Sequence, residues 1–345
     1  MKVDISEDIV NTLVLFLSGV HPEDLKTRNR YRRLRDLVFG QISTRTKKLI
    51  QANPQKHISK IRETLVFLEE NNTTARKILK ALTPINQEEA SLSNRATSGV
   101  DVLLVTATEI ETQAIFSEVK QATGHEKSRR YIRQKTYYDL GTIGGAHTFL
   151  VQTEMGSSGP GASTLTIQES IQTLSPHSTI MVGIAFGISP KKQKIGDILV
   201  SKQLFVYESQ RVSTGADGTS SITSRGDRVS SSLRLLDRFR DSTIDWNGAK
   251  VHFGPILSGE KLVDNIEFRN QLSQLETEAL GGEMEGTGLY TSASWNKTDW
   301  ILVKAICDWA DGKKNVQKEE NQQVAATNAA QFVLHTLSLG GFERQ

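Results

Sequence analysis

The sequence predicts two parts of different fold class, a small all-α bundle over residues 1–83 and an α/β domain over residues 100–345. In residues 1–83, apolar side chains recur at helical spacing. In residues 100–345, short apolar runs alternate with helical segments, which indicates a layered α/β fold with a largely parallel sheet. Residues 84–99 are polar and aperiodic, so we predict a linker there.

The helices of the first part follow from the spacing of its apolar residues. Ile9, Leu13 and Phe16 share one face of EDIVNTLVLFL, and Ser6 stands where an N-cap is expected. Pro84 ends the last helix, because proline lacks the backbone donor that a helix interior requires. The expected helices cover residues 7–17, 22–51 with a break near Gly40, 58–70 and 74–82.

In the second part, strands are expected wherever a short apolar run is bounded by turn residues or by a helical segment. The expected strands cover residues 100–108, 137–141, 147–153, 178–187, 197–201, 251–258 and 300–306. The expected helices cover residues 109–116, a segment after Gly161 to about 174, a segment opened by 282–286, and 319–337.

Composition excludes several classes of protein. With 345 residues, 37% hydrophobic and 23% charged, the chain fits a globular protein of two domains. One cysteine excludes an internal disulfide framework and a multi-cysteine zinc site. The apolar runs are too short to cross a bilayer, and MKVDISEDIV does not resemble a signal peptide. We therefore expect a cytoplasmic protein without membrane contact, metal or cofactor.

Charge is distributed unevenly between the two parts. Residues 1–95 hold 17 lysines and arginines against 11 aspartates and glutamates, although the whole chain has a net charge of only +3. A cluster in the second expected helix contributes most of this excess. Flanking acids and the lack of an aromatic platform disfavour nucleic acid, whereas an acidic protein partner for residues 1–83 stays open. The cluster comprises Lys26, Arg28, Arg30, Arg32, Arg33 and Arg35.

Carboxylates follow the expected strands at several separate places. In sheets of this kind, ligands bind at the carboxyl ends of strands. An isolated acid there is usually a cap or a surface ion pair, but a convergent set predicts a pocket for a polar substrate. The acids in question are Glu109, Glu111, Glu154, Glu260, Glu283, Glu285, Asp308 and Asp311.

Four motifs of the second part carry a resemblance to a known family. In chain order they are TATEIE at 106–111, GIAFGI at 183–188 with IGDILVS at 195–201, GEMEG at 282–286 and ICDWADG at 306–312. Residues 100–340 thereby resemble the nucleoside phosphorylase/nucleosidase superfamily, and most of all its methylthioadenosine/S-adenosylhomocysteine nucleosidases. The resemblance implies a three-layer α/β/α fold around a twisted mixed sheet, and an enzyme that hydrolyses the N-glycosidic bond of a purine nucleoside or nucleotide.

The resemblance also implies roles for individual residues. Asp308 would be the general acid at purine N7, Glu111 would activate water, and Glu285 would hold the ribose hydroxyls with Met284 against the sugar. Competing interpretations are a cap for Asp308, a first-turn acid for Glu111 and an ion pair with Lys304 for Glu285. The expected substrate-binding residues are Glu285, Met284, Glu283, Phe186, Ala185, Gly156, Ser157, Val263 and Cys307.

Hydrolysis is preferred to phosphorolysis because acids, rather than arginines, follow the first strands. The segment EMGSSGPGA at 154–162 keeps phosphorolysis as an alternative, because its amides could cradle an anion. A catalytically dead fold that senses a ligand is a second alternative, which the joint presence of Glu111, Glu285 and Asp308 disfavours.

The 5′ side of the substrate is the least determined feature. Leu262 stands where an aromatic residue covers the base in many relatives, and Lys304 and Cys307 replace a common arginine and serine. If the substrate carries 5′-phosphates, basic loop residues are candidates to meet them. The candidates are Lys191, Lys192, Lys194, Arg129, Arg130 and Arg133.

The first part carries none of the four motifs. It resembles the small death-like or effector-associated adaptor domains that are fused to bacterial conflict enzymes. The resemblance implies an effector that is recruited through residues 1–83 in bacterial defence. We also expect the chain to form a homo-oligomer.

Overall fold

The structure, a computed structural model, describes residues 7–17, 25–79, 100–214, 218–313 and 317–344. The chain divides into two units, residues 1–96 and residues 97–345. The expected Ser6 cap, the start of the second helix at Pro22, residues 80–82 of the fourth helix and the linker over 84–99 lie outside the described residues.

The first unit is a bundle of short helices, as predicted. Ile9, Leu13, Leu34, Ile61 and Leu65 are buried in its core. The expected break near Gly40 is confirmed, because a new helix begins where the side chain of Ser43 accepts a hydrogen bond from the Thr46 backbone at 3.2 Å. The helices are α1 Glu7–Leu17, α2 Leu25–Gly40, α3 Thr44–Ala52, α4 Ile58–Asn71 and α5 over 73–79.

The second unit contains a large mixed sheet. Its strands follow the order β11-β10-β6-β12-β5-β1-β4-β3-β2, and β9 pairs with β6. The strands are β1 Val102–Thr106, β2 Ser128–Ile132, β3 Lys135–Ile143, β4 Ala146–Gln152, β5 Ser178–Gly187, β6 Ile198–Val206, β7 Gln210–Thr214, β8 Ser220–Ser224, β9 Arg228–Ser230, β10 Val251–Ser258, β11 Gly281–Glu283 and β12 Asp299–Asp308.

Helices cover both faces of this sheet, which confirms the three-layer α/β/α prediction. One core packs the sheet against α6, α8 and α11, and a second packs it against α7 and α10. These helices, with α9, are α6 Glu109–Thr123, α7 Ser163–Leu174, α8 Leu233–Asp241, α9 Ile266–Leu275, α10 Gly286–Asn296 and α11 Lys318–Ser338. None of the described helices is long and apolar enough to cross a bilayer.

The mixed sheet that the family resemblance implies is confirmed, whereas the largely parallel sheet expected from the apolar runs alone is wrong in its centre. Strand β12 runs parallel to β5 but antiparallel to β6. The short β11 pairs in parallel with β10 and antiparallel with β5. The strands β5, β12, β6, β10 and β11 therefore close on themselves, which no apolar run in the sequence could reveal.

Several elements escaped prediction because their sequences are polar. Strand β2 is SRRYI and lies at the sheet edge, so it needs no apolar face. The strands β7 and β8 form a separate hairpin outside the main sheet. Strand β6 continues to Val206, beyond the expected end at Ser201. The prediction stopped short because the polar pair Lys202 and Gln203 interrupts the apolar run of this strand.

Candidate active site

A pocket of about 180 Å³ lies where strands β1, β5, β10 and β12 end. Both residues predicted as catalytic contribute to its lining. Most of the predicted substrate-binding residues do so as well. The predicted residues that line it are Glu111, Ala185, Phe186, Val263, Glu283, Met284, Glu285, Cys307 and Asp308.

Glu111 is fixed by backbone donors. Its Oε2 accepts hydrogen bonds from the amides of Ala107 and Thr108, both at 2.8 Å, and its Oε1 accepts one from Ile184 at 2.8 Å. Thr108 and Glu111 form a capping box at the start of α6. The first-turn interpretation of Glu111 is therefore correct as a local description. It is compatible with a place in the pocket, because Oε1 accepts only one of these backbone hydrogen bonds and can accept another from a ligand.

Lys304 is the counter-ion of the pocket acids. It lies in the middle of β12 and is 0% exposed. Its Nζ is 3.2 Å from Glu285 Oε2 and 3.7 Å from Glu111 Oε1. Burial works to lower the pKa of Lys304, but the surrounding Glu111, Glu285 and Glu283 carboxylates raise it above its ordinary value. The ammonium therefore stays charged and links two acids that come from distant parts of the chain.

Gly183 makes room for this ion pair. On β5 it lies directly opposite Lys304 of β12. A Cβ atom at position 183 would lie 2.0 Å from Glu111 Oε1 and 2.8 Å from Lys304 Nζ. Because neither buried group has space to retreat, the first glycine of GIAFGI is required for the acids to meet the lysine.

Glu283 differs from the other acids of the pocket. Its Oε2 accepts hydrogen bonds from the amides of Glu285 at 2.9 Å and Gly286 at 2.8 Å. Its Oε1 is buried and has no hydrogen-bond partner among the described residues. Burial, with help from the Glu285 carboxylate and against the effect of Lys304, raises the pKa of Glu283 to about 7. Glu283 can therefore hold a proton at neutral pH, which leaves Lys304 to balance Glu111 and Glu285.

A β-bulge directs Asp308 into the pocket. Along the β5–β12 pair, Ile306 lies opposite Ala185 and Asp308 lies opposite Phe186, so Cys307 is the extra residue. Asp308 Oδ1 accepts a hydrogen bond from the Ala310 amide at 2.9 Å, and Oδ2 accepts one from the Cys307 thiol at 3.2 Å. Asp308 therefore accepts a hydrogen bond within the turn that follows β12, and it does not cap a helix as the competing interpretation expected.

Gly156 and Ser157 stand behind the pocket instead of lining it. The Gly156 amide donates to Glu285 Oε1 at 3.0 Å. The Ser157 amide donates to the Glu260 carboxylate at 3.2 Å, and the Ser157 hydroxyl donates to the Met284 carbonyl at 3.0 Å. Through these hydrogen bonds, Gly156 and Ser157 hold the lining residues Glu285 and Met284 in position.

Several other lining residues have no role predicted from the sequence. Thr108 and Ile184 fall inside the motifs, Met155 directly follows the strand-end acid Glu154, and Gln322 lies in α11. Lys261 and Lys318 are basic and also line the pocket. The basic residues proposed from sequence for a 5′-phosphate, Lys191 to Lys194 and Arg129 to Arg133, are absent from the lining.

Comparisons with known proteins address the second unit. A family model described as the phosphorylase superfamily matches residues 101–338. The chain is 29% identical over 270 residues to a death domain-containing ATP nucleosidase of Amphimedon queenslandica, and the match covers 72% of this chain and 50% of that protein. This chain thus spans about half the length of that relative.

Two further comparisons concern bacterial nucleosidases. A 5′-methylthioadenosine/S-adenosylhomocysteine nucleosidase of Maridesulfovibrio salexigens is 26% identical over 204 residues, which cover 58% of this chain and 85% of the relative. The crystal structure of such a nucleosidase from Neisseria meningitidis with methylthio-immucillin-A gives a TM-score of 0.57 at 20% identity, over 69% of this chain and 98% of that one. The structural match shows that the fold is shared.

The proton of Glu283 makes stability depend on pH. The folded chain keeps this proton up to about pH 7, whereas the unfolded chain releases it near the ordinary value of 4.5. The stabilising contribution is complete below about pH 4.5 and is lost as the pH rises through 7. Glu283→Gln cannot titrate, so relative to this variant the wild type should lose on the order of 3 kcal/mol between pH 4.5 and pH 8.

Urea unfolding followed by tryptophan fluorescence measures this difference, because Trp246, Trp295, Trp300 and Trp309 all belong to the second unit. Glu278→Gln, which changes an exposed acid, is the matched control and should follow the wild-type profile. Parallel pH profiles for the wild type and Glu283→Gln would contradict the raised pKa of Glu283 in the folded chain.

Proposed function

Since the chain belongs to the phosphorylase superfamily, we propose that its pocket hydrolyses the N-glycosidic bond of a purine nucleoside or nucleotide and releases the free base. The predicted membership of this superfamily is confirmed, and the curated relatives named above are nucleosidases. The single observation that carries the proposal is the convergence of Glu111, Glu285 and Asp308 on one pocket.

The departing base requires a proton. As the C1′–N9 bond breaks, electrons move onto the purine ring, and protonation at N7 neutralises them. Asp308 is the proposed donor, because it lines the pocket beside Ala185 and Phe186 and is 8% exposed. The Ala310 amide and the Cys307 thiol orient its two oxygens. A carboxylic acid also accepts from an exocyclic amine, which favours adenine.

The sugar requires a nucleophile. Water attacks C1′ from the face opposite the base, and Glu111 takes its proton as the new C–O bond forms. Glu285 accepts hydrogen bonds from the ribose hydroxyls, with Met284 against the sugar. Lys304 holds Glu111 and Glu285 near each other, so the water and the ribose occupy fixed relative positions.

Phosphorolysis is the less favoured alternative. A phosphate would need the amides of the 154–162 segment as its cradle. The amide of Gly156 already donates to Glu285, and the amide of Ser157 already donates to Glu260. With these donors satisfied by carboxylates, an anion at the same place would meet like charges. A ligand sensor without catalysis is disfavoured as well, because no residue assigned to the chemistry is missing.

For residues 1–83 we propose a recruiting domain that binds a protein partner, joined to the enzyme through residues 84–99. Arg32 and Arg33 are exposed on α2, while Arg35 pairs with Asp36 at 2.6 Å. An exposed basic helix face suits an acidic protein surface. In this account the chain is a cytoplasmic homo-oligomer that acts as a recruited effector in bacterial defence. The Amphimedon relative is likewise named as a nucleosidase that contains a death domain.

Removing either proposed proton-transfer group should slow the chemical step. Asp308→Asn and Glu111→Gln should each lower kcat by about 10²–10⁴-fold, because general acid–base catalysis contributes that much, with KM little changed. Asp311→Asn and Glu109→Gln are matched controls, since both change a neighbouring acid outside the pocket lining. Release of adenine from adenosine, methylthioadenosine, S-adenosylhomocysteine, AMP and ATP is the measurement.

Running the wild-type reaction in ¹⁸O-labelled water identifies the nucleophile. Hydrolysis places the label in the sugar product whether or not phosphate is present. Formation of ribose 1-phosphate with strict phosphate dependence would overturn the proposed reaction, and unchanged kcat in Asp308→Asn would overturn the assignment of the acid.

The second unit should act without the first. A fragment over residues 98–345 contains every residue assigned to the pocket and has its own cores. We expect it to fold and to release adenine with the kinetics of the full chain, while losing recruitment. Circular dichroism, size-exclusion chromatography and adenine release compare the two. A folded, monodisperse but inactive fragment would contradict the proposed division between recruitment and catalysis.

A further inference from the structure

The charges of the pocket are segregated by depth. Its acids, Glu111, Glu283, Glu285 and Asp308, are all buried. Among the described lining residues, the exposed charged side chains are those of two lysines, Lys261 and Lys318. The pocket thus has an acidic floor and a basic mouth.

The two lysines come from different elements. Lys261 follows the end of β10, and Lys318 is the first residue of α11. The side chain of Lys261 is 55% exposed, so its ammonium is within reach of a ligand that enters from solvent. Two cations from separate elements, facing one opening, form a mouth that attracts an anion.

Lys261 is held in place by a network around its loop. Glu208 forms an ion pair with the Lys261 ammonium and also accepts the Glu260 amide at 3.0 Å. The Glu260 carboxylate accepts the Ser157 amide at 3.2 Å, which ties the loop to the segment behind the pocket. An ammonium has three N–H donors and Glu208 takes one. Lys261 is therefore positioned before any ligand arrives and keeps donors for it.

We propose that the substrate is a purine nucleoside 5′-polyphosphate whose phosphates bind Lys261 and Lys318. The inference rests on the proposed function, since it takes the buried acids to bind base and ribose. The 5′ substituent is then the remaining part of the substrate, and it must emerge at the mouth. A phosphate chain there forms ion pairs and charge-assisted hydrogen bonds with both ammoniums, whereas an uncharged substituent forms no ion pair with them.

Two apolar side chains at the mouth of the pocket favour a different class of substrate, one with an apolar 5′ substituent. Met155 and Leu262 also line the pocket and are 60% and 63% exposed. They could contact an alkylthio substituent, so the test compares methylthioadenosine with phosphorylated substrates. Substitution of the two lysines distinguishes these classes, because the lysines should strengthen the binding of phosphorylated substrates and not that of methylthioadenosine.

The experiment measures kcat/KM for ATP, ADP, adenosine and methylthioadenosine with the full-length wild type, Lys261→Ala, Lys318→Ala and the double variant. The double variant should lose at least about tenfold in kcat/KM for ATP, mainly through a higher KM, and retain its activity on adenosine. Lys191→Ala removes an exposed lysine that is absent from the pocket lining and should behave as wild type.

Equal losses on ATP and adenosine would overturn the inference, because the lysines would then shape the pocket rather than read the phosphates. Undiminished ATP turnover in the double variant, or a strong preference of the wild type for methylthioadenosine, would overturn it as well. Isothermal titration calorimetry compares the affinity of the wild type and of the double variant for ATP, and so tests the role of the lysines without measuring turnover. If the wild type releases base from no substrate, the proposed function fails while this binding comparison still stands.

Discussion

The buried ammonium of Lys304 is the interaction on which the candidate site depends. Glu111 reaches the interior from the start of α6, Glu283 and Glu285 reach the same region from the 282–286 segment, and each is at most 5% exposed. Burying a charged carboxylate without a counter-ion costs several kcal/mol of folding free energy, and such a group otherwise takes up a proton. Here the Lys304 ammonium lies close to two of the carboxylates, those of Glu111 and Glu285. The third, Glu283, keeps its proton to about pH 7, so the free-energy cost of burying the three acids is reduced.

Local sequence features converge on this lysine. The capping box of Thr108 and Glu111 fixes the start of α6, and Gly183 leaves the space in which Glu111 and Lys304 approach each other. The amides of Gly156 and Ile184 donate to Glu285 and Glu111, so the acids have backbone donors as well as a counter-ion. The bulge at Cys307 then turns Asp308 into the same pocket from the strand that carries Lys304.

The sequence was sufficient for the parts of the site that follow strand ends. The ends of the expected strands select a set of acids that includes Glu111, Glu285 and Asp308, and the family resemblance singles out these three, which the structure brings to one pocket. The layered α/β class followed from apolar runs that alternate with helices, and the three-layer arrangement was what the family resemblance implied. The roles of these residues in a reaction remain predictions that turnover measurements must decide.

Other features depend on tertiary pairing and have no local signal. The closure of the central strands depends on β11, whose three residues are too short for a periodic pattern. Lys191, Lys192 and Lys194 lie close in sequence to the end of β5, yet the 189–193 turn leads into β6 and they do not line the pocket. Lys261 and Lys318 do line it, because the tertiary fold brings the loop after β10 and the start of α11 to the same pocket.

A double-mutant cycle between Lys304 and Glu285 tests the central claim most directly. Urea unfolding at pH 7, followed by tryptophan fluorescence, gives the free energies of unfolding of the wild type, Lys304→Met, Glu285→Gln and the double variant. Lys304→Met should cost about 3–5 kcal/mol, because it leaves buried carboxylates unpaired. The double variant should be more stable than the sum of the single losses predicts by at least about 1 kcal/mol. Losses that add to within about 0.5 kcal/mol would show that Lys304 does not compensate the acids of the pocket.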